Sequence, residues 1–181
     1  VGGSSISAGE LLIGANNLNM FVGVGGAWSA GTSAYTGTGV NVTGLKLGLA
    51  VFKETGGAAR QWTAAKASAN NASLIGVSGL TLVASDVSVA INRAASDSSV
   101  ADFAGSNKLT IQTGTAGAAS SIDLDMAASL GALTQISAAV DIDVFGSLLA
   151  HGTITLQKSS GTVSVGGSSI SAGELLIGAN N

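Results

Sequence analysis

Residues 136–157, ISAAVDIDVFGSLLAHGTITLQ, decide the fold class. Apolar or small residues occupy the even positions, and mostly polar residues lie between them. A period of two is typical of a half-buried strand, because successive side chains point to opposite faces of the sheet. The phase holds for about 21 residues, whereas ordinary strands have about 3–10. We therefore predict one long strand, bent at Gly146 and Gly152. Its side chains Val140, Ile142, Val144, Leu148, Ile154 and Leu156 are expected to be buried, and Asp141, Asp143, Thr153 and Thr155 to be more exposed.

Two other stretches change phase partway along. In residues 39–51, GVNVTGLKLGLAV, the apolar positions are first even and then odd, and residues 79–91, GLTLVASDVSVAI, repeat this change. A phase change turns every later side chain to the other face unless a bulge or turn intervenes. We therefore predict a bulge or tight corner near 43–44 and another near 83–86.

Turn-forming residues separate the remaining strand candidates. One of them, residues 61–71, is rich in alanine, and a short helix is an alternative there. Short turns without helical crossovers favour antiparallel pairing. The fold class predicted is all-β, with long bent antiparallel strands forming a barrel-like or tubular sheet continuous through tandem units; the alternative is a β-solenoid. The candidate strands are 10–24, 61–76, 108–112 and 121–126, and Lys158 to Gly161 is expected to turn the chain into a short strand at 162–165.

The chain begins and ends with the same sequence. VGGSSISAGELLIGANN occupies 1–17 and again 165–181, without a mismatch. The period, from Val1 to Val165, exceeds the roughly 20–50 residues of a solenoid coil, so each unit has the size of a domain. We predict that 1–164 is one tandem repeat unit, that 165–181 starts the next, and that the chain is a window of a longer array. Adjacent units are expected to share a sheet or core.

Composition excludes several classes of protein. Charged residues make up 9% of the chain, and seven Lys and Arg are scattered along it, so it has no basic stripe for nucleic acid. With no Cys, disulfides and thiolate metal sites are excluded. No run of about 18 apolar residues is present for a membrane helix. Aromatic residues, at 4%, are too few for the girdles of a membrane barrel. We expect no nucleic-acid partner and no membrane insertion.

No catalytic constellation is visible. The single histidine, His151, falls on the polar phase of the long alternation, where a surface or sheet-lining role is expected. The serines form no GxSxG elbow. The glycines of VGVGGAW, 22–28, match neither a Walker loop nor a GxGxxG turn. We predict that the protein is not an enzyme and has no cofactor other than a candidate calcium ion.

Two Asp-x-Asp pairs are the candidate calcium ligands. Residues two apart on a strand share a face, so Asp123 with Asp125, and Asp141 with Asp143, each present two carboxylates. If the two strands were neighbours, four oxygen-bearing groups would converge, which suits Ca²⁺. The alternative is a solvated strand face whose charges discourage edge-to-edge aggregation.

Three aromatic residues have a similar pair of interpretations. Trp28, Tyr35 and Trp62 would form a platform for carbohydrate or a partner if exposed. The alternative, which we favour, is that they fill the core or cover a strand end.

Three segments resemble repeat units of the giant extracellular adhesin-like proteins of Gram-negative bacteria: LKLGLAVFK (45–53), AAVDIDVFG (138–146) and GTITLQKSSGTVSV (152–165). The resemblance implies secretion to the cell surface and a role in adhesion, cohesion or fibre formation. It also implies calcium binding through acidic clusters, a trait that transfers poorly to a chain with ten acids.

The functional prediction is a non-catalytic structural repeat of an extracellular fibre or giant adhesin stalk, giving length and mechanical durability at the cell surface. Its partners are adjacent identical units head to tail, with neighbouring cells or surface glycans as further candidates. The alternative is a cation-dependent or glycan-binding adhesion module.

Overall fold

A computed structural model describes residues 5–32, 34–115 and 118–181. In these residues the chain is all-β, apart from two single 3₁₀ turns at Gly105–Asn107 and Ala128–Leu130, and every strand pairing is antiparallel. The strands are β1 (Ala8–Ser29), β2 (Ala34–Glu54), β3 (Gln61–Ile75), β4 (Leu80–Arg93), β5 (Leu109–Gln112), β6 (Ser121–Leu124), β7 (Leu133–Val144), β8 (Leu148–Val165) and β9 (Ser168–Asn180).

Seven strands form one large sheet in the order β1-β2-β3-β4-β7-β8-β9, and β5 pairs with β6 in a small second sheet. The strands of the large sheet follow chain order, except that residues 94–132 are inserted between β4 and β7 and carry the small sheet. We call residues 94–132 the insertion. The strands predicted at 10–24, 61–76, 108–112 and 121–126 are confirmed, and the helix considered for 61–71 is excluded because β3 runs through it.

The single long strand predicted over 136–157 is wrong. The chain turns at Phe145, Gly146 and Ser147, and β7 and β8 form a hairpin in which Val144 lies opposite Leu148. Phe145 and Gly146 both have positive φ, as a tight hairpin turn requires. The amide of Gly146 donates to Oδ1 of Asp143 over 2.7 Å.

The turn predicted at residues 158–161 is also wrong, because β8 continues through it to Val165. The hairpin into β9 closes instead at Gly166 and Gly167, where Val165 lies opposite Ser168. Both glycines have positive φ, the geometry of a type I′ two-residue turn.

Both predicted bulges are confirmed. Gly44 has φ +64°, and the β1–β2 register shifts between Leu18 and Met20, which lie opposite this part of β2. Asp86 has φ +51°, and the β4–β7 register shifts between Ser85 and Ser88. In each case the extra residue absorbs the phase change seen in the sequence.

The insertion packs on one face of the large sheet, over β1, β2 and β3, and forms the core there. We call this side the covered face. Its buried cluster joins strand residues to insertion residues: Ala50, Ala64, Phe103, Ile111, Leu124, Met126 and Leu133.

The burial predicted for the even-numbered residues of 140–156 is wrong. Leu133 belongs to the core, so the odd residues of β7 lie on the covered face and the even ones on the opposite face. The core cluster lies on the covered face. Leu148 and Ile154 are accordingly exposed, and Val140, Ile142, Val144 and Leu156 are only half-buried.

The sheet is open in the described part of the chain, so neither a closed barrel nor a solenoid is present there. A solenoid would need parallel stacked coils, whereas these neighbours are antiparallel. Leu176 is the repeat equivalent of Leu12, and it lies in the same row as Gly14, so the second copy is displaced by two positions along the strand relative to the first. The row of directly opposed residues is Gly14, Gly48, Lys66, Ala90, Gln135, Gln157 and Leu176.

Among the described residues, the structure contains no helix of sufficient length and apolarity to span a membrane.

Candidate functional site: the two edges of the sheet

Most described residues of the two repeated sequences lie in the two edge strands of the large sheet. Residues 8–17 of the first copy begin β1, and residues 168–180 of the second copy form β9. Within the described residues each edge strand has a neighbour on one side only, β2 for β1 and β8 for β9. The apolar run LLI is exposed in both copies, at Leu11 (56%) and at its equivalent Leu175 (62%). The edges therefore present unpaired backbone groups beside apolar side chains.

The glycines of the two copies have different surroundings although their sequences are the same. A Cβ on Gly14 would collide with the backbone carbonyl of Gln112, at the end of β5. A Cβ on Gly178, its equivalent in β9, would meet nothing within 4 Å. The close approach of the insertion explains the glycine in the first copy, and nothing in the described part of the chain explains it in the second.

An ionic cluster fastens the insertion to the ends of β2 and β3. Arg60 donates to Glu54, with a shortest nitrogen–oxygen distance of 2.8 Å, and to Oδ2 of Asp97 over 2.7 Å. The guanidinium of Arg60 lowers the pKa of the Glu54 carboxyl. The Ser99 hydroxyl, followed by Arg60, lowers the pKa of Asp97 from 3.8 to about 2. Arg60 also stacks over the ring of Trp62, 5.2 Å from its centroid.

Trp62 belongs to the core, as we favoured from the sequence. It is 2% exposed, and its Nε1 donates to the carbonyl oxygen of Ser99 over 3.1 Å. The buried amide of Asn92 donates to the carbonyl of Ala101 over 2.8 Å and holds the insertion at a second point. The indole thus fixes the start of the insertion on the covered face.

An open cleft lies between β1 and the insertion. Among the residues that line it are Glu10, Trp62, Asp102 and Phe103. Asp102 accepts hydrogen bonds from the amides of Ala128 and Ala104, and these hold the pKa of its carboxyl below the usual range. Its oxygens therefore organise the loop.

The first predicted calcium pair lies on and just after β6, in the insertion. Lys108, 2.9 Å away, and then the hydroxyl of Thr110 lower the pKa of Asp123. Asp125 accepts from Nζ of Lys66 on β3, with both oxygens at 2.8 Å. Both carboxylates are thus paired with lysine, and the second links the insertion to the large sheet.

The second pair lies on β7. Asp141 is paired with Nδ1 of His151, directly opposite on β8, and Asp143 caps the β7–β8 turn through the amide of Gly146. His151 is an exposed sheet residue, as expected. The two Asp pairs do not sit on neighbouring strands, since β6 pairs with β5, and β7 with β4 and β8. The condition for their convergence is therefore not met, and no group of three or more His, Cys, Asp or Glu residues in the described ranges could hold a metal ion.

The other two aromatic residues form a cluster at the β1–β2 hairpin end. Tyr35 stacks with Phe21, with centroids 5.8 Å apart, and makes an edge contact with Trp28 at 4.8 Å. Trp28 is 47% exposed. The cluster covers the strand end and also presents one indole to solvent.

The sequence reasoning missed the pairing of Arg60 with Glu54 and Asp97, because no spacing rule connects residues brought together by a hairpin and a loop. No protein-family model, curated protein or solved structure matches the chain.

Proposed function

We propose that the chain is a non-catalytic structural repeat of an extracellular fibre or adhesin stalk, in which a sheet continuous through tandem units provides length and durability. One observation carries the proposal. Residues 8–17 of the first copy and residues 168–180 of the second lie in the two outer strands of a single sheet, where one unit can adjoin the next.

The character of the edges supports this role. A long, exposed apolar edge strand templates pairing with another strand, and soluble monomers protect such edges with charge, proline or bulges. The exposed run Leu11, Leu12 and Ile13 has one charged neighbour, Glu10, and lies before the first register shift of β1, between Ala15 and Leu18; the chain has no proline. A neighbouring unit at each edge removes this liability.

Chains of one, two and four units test the proposal. Negative-stain images should show stiff particles whose length rises by a constant increment with each unit. Globular beads on a flexible string, or a length independent of unit number, would overturn it. Unmatched apolar edges in the single unit should also cause concentration-dependent association, measured by light scattering.

A second candidate function, glycan binding by each unit, is favoured by the exposed Trp28 in its aromatic cluster. Glycan-array binding lost in Trp28→Ala and retained in Phe145→Ala, an exposed aromatic residue on another turn, would support it. Absence of binding by the unaltered chain would exclude the glycans tested.

A further inference from the structure

We infer that β9 is the β1 of the following unit, so that one strand is shared between two units. One edge of this shared strand pairs with β8 of its own unit, and the other edge pairs with β2 of the next copy of this chain. The inference rests on the proposed function and specifies how adjacent units are joined.

Strand direction allows the sharing. Six successive antiparallel steps lead from β1 to β9, so the two strands run the same way. β2 lies on the inner side of β1, and β8 lies on the inner side of β9. Placing β9 on β1 of the next unit therefore leaves the two neighbours on opposite edges of one strand.

The side-chain faces also agree. Gly14 lies on the covered face, against Gln112, and so Leu12, two positions away, does as well. Leu176, the equivalent of Leu12, lies in the same row as Gly14. Equivalent residues of the two copies therefore point to the same face of the sheet. A displacement by an odd number of positions would have pointed them to opposite faces.

The same residues carry both sets of pairs. Residues 8–15 pair with residues 47–54 of β2, and their equivalents 172–179 pair with β8. Backbone N–H and C=O groups point alternately to the two sides of an antiparallel strand, so one strand serves two neighbours without competition. In the shared strand Leu175 lies between Lys158 of its own unit and the Val51 of the following unit.

Gly178 provides an independent reason. Open space surrounds it here, yet its equivalent Gly14 is required by the approach of Gln112. In the shared strand, Gly178 receives the Gln112 of the following unit, and the glycine is needed at both copies.

Hydrogen exchange on a two-unit chain tests the sharing. This chain consists of residues 1–181 followed directly by a second copy of 18–181, so that its middle copy of the repeated sequence belongs to both units. The matched control joins two complete copies of the chain through a flexible linker of about 20 Gly and Ser residues, so that no strand need be shared. Mass spectrometry distinguishes the copies by their flanking residues, and the identical sequences have identical intrinsic exchange rates.

The middle copy should have about half as many fast-exchanging amides as either inner copy of the control, because both of its edges are hydrogen-bonded. Equal numbers of fast amides in the two chains would overturn the inference, as would a two-unit chain that fails to fold while the control folds. A doubly protected middle copy in arrays that show no regular particle length would overturn the proposed function and leave the shared strand in place.

Discussion

Replacing Gly14 by alanine should destabilise the chain, and the same change at Gly178 should not. The added Cβ at residue 14 collides with the backbone carbonyl of Gln112, and a backbone group cannot move aside without shifting β5. Overpacking of this kind costs about 1–3 kcal/mol. For a domain of this size each kcal/mol lowers Tm by about 2–4 °C, so a fall of about 2–12 °C is expected.

Gly178→Ala is the matched control, since its sequence context is the same and open space surrounds it. Its stability should stay within about 0.5 kcal/mol of the unaltered chain, or rise by about 0.5–1 kcal/mol because alanine restricts the unfolded strand. Urea titration and thermal melting of both variants measure the difference. Equal loss in the two variants, or no loss at Gly14, would refute the packing of the insertion on β1.

Three further perturbations follow from the contacts of the insertion and the carboxylates. Chelation with EDTA should leave Tm unchanged. A fall in Tm that added Ca²⁺ reverses, and that is absent in Asp141→Asn, would contradict this. Asp97 has a folded pKa below its ordinary value because Ser99 and then Arg60 bind its charged form. Its contribution to the free energy of unfolding is therefore complete above about pH 4 and is lost as pH falls from about 3.8 to about 2. Asp97→Asn should flatten the stability curve in this acid range, and an unchanged curve would count against the cluster. Trp62→Ala should cost about 3–5 kcal/mol in urea titrations and expose the insertion to proteolysis. Trp28→Ala should cost about 0.5–1.5 kcal/mol, through the loss of its edge contact with Tyr35, and equal costs would contradict the assigned core.

Phase changes in the sequence predicted a bulge or tight corner near Gly44 and Asp86, because an extra residue there keeps the apolar side chains on one face. The same signal failed at the β7–β8 hairpin. Val144 and Leu148 lie opposite each other across the turn and differ by an even number, so the alternation passes through the turn without a break. Periodicity alone cannot distinguish such a hairpin from a continuous strand.

Burial and the candidate site needed tertiary information. The apolar alternation along β7 predicts that the face of the even-numbered residues is covered. The covered face is instead the face that bears Leu133, because the insertion folds over that face. The repeat was visible in the sequence, but its placement at the two edges depends on the number of strands in one unit. The two copies run in the same direction because an even number of antiparallel strand pairings separates them. No local sequence pattern predicts the number of strands in the sheet.

Fibre diffraction from aligned multi-unit arrays tests the shared strand most directly. Growth across the sheet places the strands perpendicular to the fibre axis, so the strand spacing of about 4.7–4.9 Å should appear on the meridian, with six strands giving an axial repeat of about 29 Å per unit. Units joined end to end along their strands would instead place that spacing on the equator. β2 has 21 residues, so their axial repeat would be about 70 Å. A meridional strand reflection with the shorter repeat is the predicted result, and an equatorial strand reflection with the longer repeat would contradict the account.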